Sequence, residues 1–195
     1  MRPWFNKAMK VVAAASLLAS SGMTMASMND MQCLTQELSG SAAIKAQYID
    51  ATLEASRAFQ IPAAILVSIK LVESGRGLNP NVSNKNTNGT TDRGFYQVNA
   101  EVWLPELQRI GLPIDNTNLH GVRNNALIAG WIYKRQLERV KSRLEAVGYY
   151  HKGGGTDQRA ERIRGVYKAK FMDNLRRLAR LCGTEREIAM ASQTE

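Results

Sequence analysis

The stretch PAAILVSIKLVESGRG, residues 62–77, decides how the chain is read. Pro62 suits the first turn of a helix and Gly75 and Gly77 stop one, which predicts a helix from Pro62 to Glu73. Ile65, Leu66, Ile69 and Val72 share a face, and Glu73 lies on that same stripe, four residues beyond Ile69. A lone glutamate at a helix end is ordinarily solvated. An apolar stripe and the last turn, where the helix dipole opposes negative charge, both suit a carboxylic acid held ready to give a proton. Lys70 sits about a quarter turn off the stripe and need not neutralise it. Glu73 is therefore the first candidate for chemistry.

Working outward, Ile44, Tyr48, Ala51, Ala55 and Phe59 recur every three or four residues, which makes Ser41 to Gln60 an amphipathic helix. Residues 76–92 hold five Asn, three Thr, two Gly and a Pro, and read as loop. Gly94 to Asn99 is a short ordered segment of open type, followed by a helix over roughly 100–110. Helical periodicity resumes from Val122 to Tyr150, broken in two. Gly153-Gly154-Gly155 reads as a flexible break. Asp157 can cap a last helix running to Cys182, with Ile163, Tyr167, Phe171, Leu175, Leu178 and Cys182 on its apolar face. The expected fold is a single, mainly α domain of about six to seven helices with a short irregular or β segment.

The 195 residues are 44% hydrophobic and 22% charged, enough for one domain with a core and not for collagen-like, disulfide-scaffold or disordered classes. Residues 1–26 read as a secretory signal peptide. Arg2, Lys7 and Lys10 precede an apolar run, and Thr24-Met25-Ala26 offers a small-x-small cleavage site. An uncleaved anchor is the alternative, disfavoured because the run is short and broken by Ser, Gly and Thr. The domain then spans residues 27–182 and a tail of expected disorder spans 183–195. Without the leader the charge falls from +9 to +6, and 14 of the remaining basic residues fall in 134–180. Arg159, Arg162, Arg164, Lys168, Arg176, Arg177 and Arg180 read as a solvated face, or as attraction to an anionic partner. Cys33 and Cys182 are most simply a disulfide in an exported protein, clamping the two ends of the domain by about 4 kcal/mol or more. Two buried thiols are the alternative. No CxxC or Cys/His spacing supports a metal site.

Beyond Glu73 the chemistry sits in a pattern. Val72-Glu73-Ser74-Gly75 is followed by Asp92-Arg93-Gly94-Phe95-Tyr96-Gln97-Val98-Asn99, and then by Glu145-Ala146-Val147-Gly148-Tyr149-Tyr150-His151-Lys152-Gly153. In this order the three resemble the glutamate-serine, glycine-x-x-glutamine-x-asparagine and alanine-tyrosine-asparagine-x-glycine signatures of the soluble lytic transglycosylases. The resemblance spans about Ile61 to Tyr167. Small size, the leader and the Asn84–Thr90 stretch look most like the single-domain members that accompany secretion, conjugation and pilus systems.

The resemblance implies a lysozyme-like α+β fold and cleavage of peptidoglycan between N-acetylmuramic acid and N-acetylglucosamine in the periplasm. It makes Glu73 the sole catalytic acid and base, with a 1,6-anhydro product and no water nucleophile, unlike the usual glycosidase pair. It implies that Ser74 orients Glu73, that Tyr150 places its hydroxyl near the carboxyl, and that Gly94, Phe95, Tyr96, Gln97, Asn99 and Tyr149 belong to the sugar groove. It implies no metal or organic cofactor, peptidoglycan strands as partner, and no stable membrane insertion after signal cleavage. The sequence departs from the pattern at Phe95-Tyr96, commonly leucine-methionine, at His151, where asparagine follows the tyrosine, and at Lys152.

Other readings stay open at this level. Gln97 and Asn99 also read as a turn pair, and one of Tyr149 and Tyr150 is expected to be core. Asp92 before a glycine reads as a turn residue, yet it is the one nearby acid that could serve a lysozyme-type hydrolase. His120 and His151, the only histidines, stand far apart in sequence. A non-catalytic peptidoglycan-binding assembly protein is the alternative of a different class. Nucleic-acid binding, suggested by a sequence pI near 9.8, is disfavoured by export and by the absence of a binding motif.

Overall fold

The structure, a computed structural model, describes residues 28–110 and 118–183. The expected leader and all but the first residue of the expected tail lie outside the described residues. Seven helices are described: α1 Met28–Leu34, α2 Ala42–Phe59, α3 Ala63–Ser74, α4 Ala100–Arg109, α5 Val122–Val140, α6 Arg143–His151 and α7 Gln158–Cys182. Three short strands, β1 Ser83–Lys85, β2 Thr91–Arg93 and β3 Val98–Asn99, form an antiparallel sheet in the order β1-β2-β3. The fold is α+β and lysozyme-like, as expected.

Local sequence explains the boundaries. Ser41 caps α2 through Ile44 N–H, Asn99 caps α4 through Val102 N–H, and Asp157 caps α7 through Ala160 N–H at 2.8 Å. Gln60 closes α2 in the left-handed conformation. No apolar period announces helix α1, because seven residues are too few to show one; Met31 and Leu34 nevertheless plug into the core.

Two parts of the sequence reading need correction. The stretch read as loop contains β1 and β2. Lys85 pairs with Thr91 in the register, and Asn86 N–H donates to Thr90 O at 2.8 Å across the turn. These strands are three residues long and β1 is wholly exposed, so no alternation of apolar residues announces them. The Gly153–Gly155 segment is not free either. Arg164, 0% exposed, donates to the carbonyls of Lys152, Gly153 and Gly155 at 3.1, 2.8 and 2.7 Å and pairs with Glu161. Arg164 therefore does not belong to a solvated face. It satisfies three carbonyls that the glycine run leaves without a ladder partner.

Helix α2 packs against α5, α3 against α7, and α6 against both α5 and α7. Gly130 permits the close α2–α5 crossing, since a Cβ there would lie 2.7 Å from the Phe59 ring. Cys33 and Cys182 form the expected disulfide, with Cα atoms 5.7 Å apart, tying α1 to the C-terminal end of α7.

Candidate active site

Glu73 stands in the last turn of α3, beside Tyr167 of α7 and His151 of α6. Val72 and Glu73 of α3, His151 of α6, and Arg162, Ile163, Val166, Tyr167 and Lys170 of α7 line a cleft of about 380 Å³. The Glu73 side chain is 11% exposed, and Tyr167 Oη donates to its Oε1 at 2.7 Å. His151 stacks on the Tyr167 ring, with centroids 4.3 Å apart and planes 8° off parallel, and its Nδ1 stands 3.7 Å from the same oxygen. Burial and the Glu73 charge push the Tyr167 phenol well above its ordinary value, so it keeps its proton and acts as a donor.

The backbone of residues 94–97 meets two of the residues singled out in sequence, Ser74 and Tyr150. Gly94 has φ +75°, and a Cβ there would lie 2.5 Å from the Asn125 side chain, so glycine is required twice over. Asn125 fixes this turn by accepting from Tyr96 N–H at 2.9 Å and donating to Arg93 O and Leu119 O. Phe95 and Tyr96 point inward. Phe95 meets Tyr48 edge-on at 5.5 Å, and the Tyr96 hydroxyl reaches Thr52 at 3.1 Å and Tyr48 at 3.4 Å. Burial pushes the Tyr96 phenol up to about 12. With both rings anchored, their carbonyls are left facing the polar side chains around Glu73. Ser74 Oγ donates to Phe95 O at 2.6 Å, and Tyr150 Oη donates to Tyr96 O at 2.9 Å.

The sequence profile of the Transglycosylase SLT domain matches residues 50–172. The chain belongs to this family. No curated protein matches it significantly. An SLT domain acts in lytic cleavage of peptidoglycan, and that substrate lies outside the cytoplasm. Among the described residues no helix is long and apolar enough to cross a membrane.

The residues singled out in sequence divide into three groups. Of Glu73, Ser74 and Tyr150, Glu73 lines the cleft, while Ser74 and Tyr150 hold the carbonyls of Phe95 and Tyr96. Burial and the Glu73 charge push the Tyr150 phenol well above the usual value. Phe95 and Tyr96 need correction. They are 1% and 0% exposed, and large aromatic rings beside the apolar α2–α3 packing are drawn into the core instead of forming a groove wall. Gln97, also buried and at φ +46°, donates to Gly94 O at 2.8 Å and accepts from Asn84 Nδ2 at 2.6 Å, so its amide braces the turn. Asn99 donates to Asp92 Oδ1 at 2.7 Å and to Thr90 Oγ1 at 2.9 Å while capping α4. Tyr149 lies between the guanidinium groups of Arg139 and Arg164, at 5.1 and 4.4 Å. His120 reaches Pro80 O at 3.2 Å, with partners entirely separate from those of His151. No group of three or more His, Cys, Asp or Glu side chains able to hold a metal occurs among the described residues.

Tyr167 is the residue that sequence reasoning missed at the carboxylate. Its helical spacing marked it as core, and a buried phenol needing a partner was the one available signal. Lys70 also does more than its place off the stripe suggests. It is 0% exposed, and Nζ donates to Gly75 O at 2.5 Å and Gly77 O at 2.8 Å, closing the C-terminus of α3.

Burial lowers the Lys70 ammonium from 10.5 to about 8. Between those values the unfolded chain binds the proton that the folded protein has lost, so stability rises with pH across that window. Relative to Lys70→Met, the native protein should gain on the order of 3 kcal/mol from about pH 7 to about pH 10.5. Urea-unfolding midpoints at several pH values measure this, and parallel curves for the two proteins would refute it.

Proposed function

We propose that this protein is a periplasmic lytic transglycosylase in which Glu73 serves first as acid and then as base. With Tyr167 occupying one lone pair on Oε1, the transferable proton of Glu73 sits on Oε2. That proton passes to the glycosidic oxygen between N-acetylmuramic acid and N-acetylglucosamine as the C1–O bond breaks. The resulting carboxylate then takes the proton of the muramic acid C6 hydroxyl, whose oxygen bonds to C1 and closes the 1,6-anhydro ring. The observation that carries this reading is the sheltered carboxylate itself: among the described residues, Glu73 is the only acid that lines the cleft. Asp92, the candidate for a hydrolase's second carboxylate, is held by Asn99 and does not line that cleft.

Export through the N-terminal leader, peptidoglycan as substrate and the clamping disulfide fit one setting. It is local opening of the wall for an envelope-spanning apparatus of the secretion, conjugation or pilus type. Mass spectrometry of soluble products from purified peptidoglycan sacculi tests the chemistry. Anhydro-muramyl products are expected. Reducing-end products would identify a hydrolase and redirect attention to Asp92, and sacculus binding without products would identify an assembly protein.

The Tyr167 hydroxyl has its own test. A hydrogen bond to a charged group contributes about 1.5–3 kcal/mol, so Tyr167→Phe should lower kcat by about 10- to 100-fold. KM should change little, because the hydroxyl is spent on Glu73. Unchanged kcat would mean that the contact plays no part in turnover.

A further inference from the structure

Helix α7 carries eight cations, more positive charge than the sugar chemistry uses, and four of them are held in ion pairs. Arg164 pairs with Glu161, Lys168 with Glu145, Arg176 with Asp173, and Arg177 with Glu37. The two cations that line the catalytic cleft are different. Arg162 and Lys170 are exposed, and among the described residues neither has an ion-pair partner. They stand eight residues apart with Val166, 54% exposed, midway between them. At 1.5 Å per residue, this row of cation, apolar patch and cation is about 12 Å long on one face of the helix. An extended peptide covers that distance in about four residues at about 3.3 Å each. The adjoining row holds Ile163 and Tyr167, so the strip runs beside the residue whose hydroxyl touches Glu73.

We propose that this strip binds the short peptide that hangs from the muramic acid, with Arg162 and Lys170 taking its carboxylates and Val166 its small apolar side chains. The proposal rests on the peptidoglycan-cleaving reading and names a substrate preference for the same site: peptide-bearing strands over strands stripped of their peptides. A peptide anchored in the same cleft as Glu73 would also fix which sugar lies against the carboxylate. Both cations are in water, so the attraction is modest and salt-sensitive.

The test compares kcat/KM on peptide-bearing glycan strands and on strands stripped by an amidase. The native protein should prefer the former by about tenfold, and Arg162→Gln with Lys170→Gln should abolish the preference. Arg176→Gln with Arg180→Gln removes the same charge from α7 outside the cleft and should keep it. Calorimetric binding of a peptide-bearing muropeptide to Glu73→Gln protein, with and without the two cleft substitutions, reads the same contact without turnover. A failure of the lytic chemistry would therefore leave that binding intact. Equal preference in native and cleft-substituted proteins, or equal muropeptide binding, would overturn the proposal.

Discussion

Glu73→Gln should lower turnover on peptidoglycan by about 10⁴-fold while leaving the protein folded. General acid–base catalysis by one positioned group contributes typically 10²- to 10⁴-fold, and here both proton transfers are assigned to the same carboxyl. Among the described residues no other acid lines the cleft to take over either step. The substitution is nearly isosteric. The amide oxygen can still accept from Tyr167 Oη, which lies 2.7 Å from Glu73 Oε1, so the stack of His151 on Tyr167 has no reason to move. Thermal unfolding should shift by no more than about 2 °C, as expected when no buried volume is lost and one hydrogen bond is kept. Product release from sacculi checks the rate and calorimetry checks the fold. More than about a tenth of native activity in the Glu73→Gln protein would remove Glu73 from the mechanism.

Breaking the disulfide should cost about 4 kcal/mol of stability, lowering the melting temperature by about 10 °C. The bond closes a loop of 149 residues, nearly the whole described domain, so its loss releases a large amount of unfolded-chain entropy. It also ties α1 to the C-terminal end of α7, whose middle supplies Tyr167 and Arg164. The shared Glu37, which faces both Arg76 and Arg177, is the other tie in that region, and a partly exposed ion pair cannot replace a covalent one. Cys33→Ser with Cys182→Ser, followed by differential scanning calorimetry, measures the effect. Full reduction of the native protein should reproduce it. An unchanged melting temperature after thiol counting confirms two free cysteines would show that packing alone holds the ends together.

Which features were legible in the sequence follows from how local their causes are. Asp157 caps the amide three residues on, and helices α2 and α7 could be placed from their apolar periods. The strands β1 and β2 have no such period because one is fully exposed and both are held by backbone pairing. Arg164 resembled its neighbours along α7, and only the fold reveals the three carbonyls it satisfies. Phe95 and Tyr96 could be placed in the right segment but not on the right side of it, since a turn fixed by Gly94 and Asn125 decides which way the rings face.

The sequence by itself determined the helical class, the acid at the end of an apolar stripe, the cysteine pair and the motif order that points to the SLT family, because each depends on residue type at short spacing or along one line. Only the tertiary structure decided what surrounds Glu73. Tyr167 lies 94 residues away, and its hydroxyl reaches the carboxylate because α7 packs across α3. Tyr150 faces the Tyr96 carbonyl because two buried rings hold that backbone in place. Through the same packing Arg162 and Lys170 become part of the cleft, while Lys168 and Arg176 are paired with Glu145 and Asp173. Contacts of this kind are set by how whole elements dock, and no short window of sequence contains both partners.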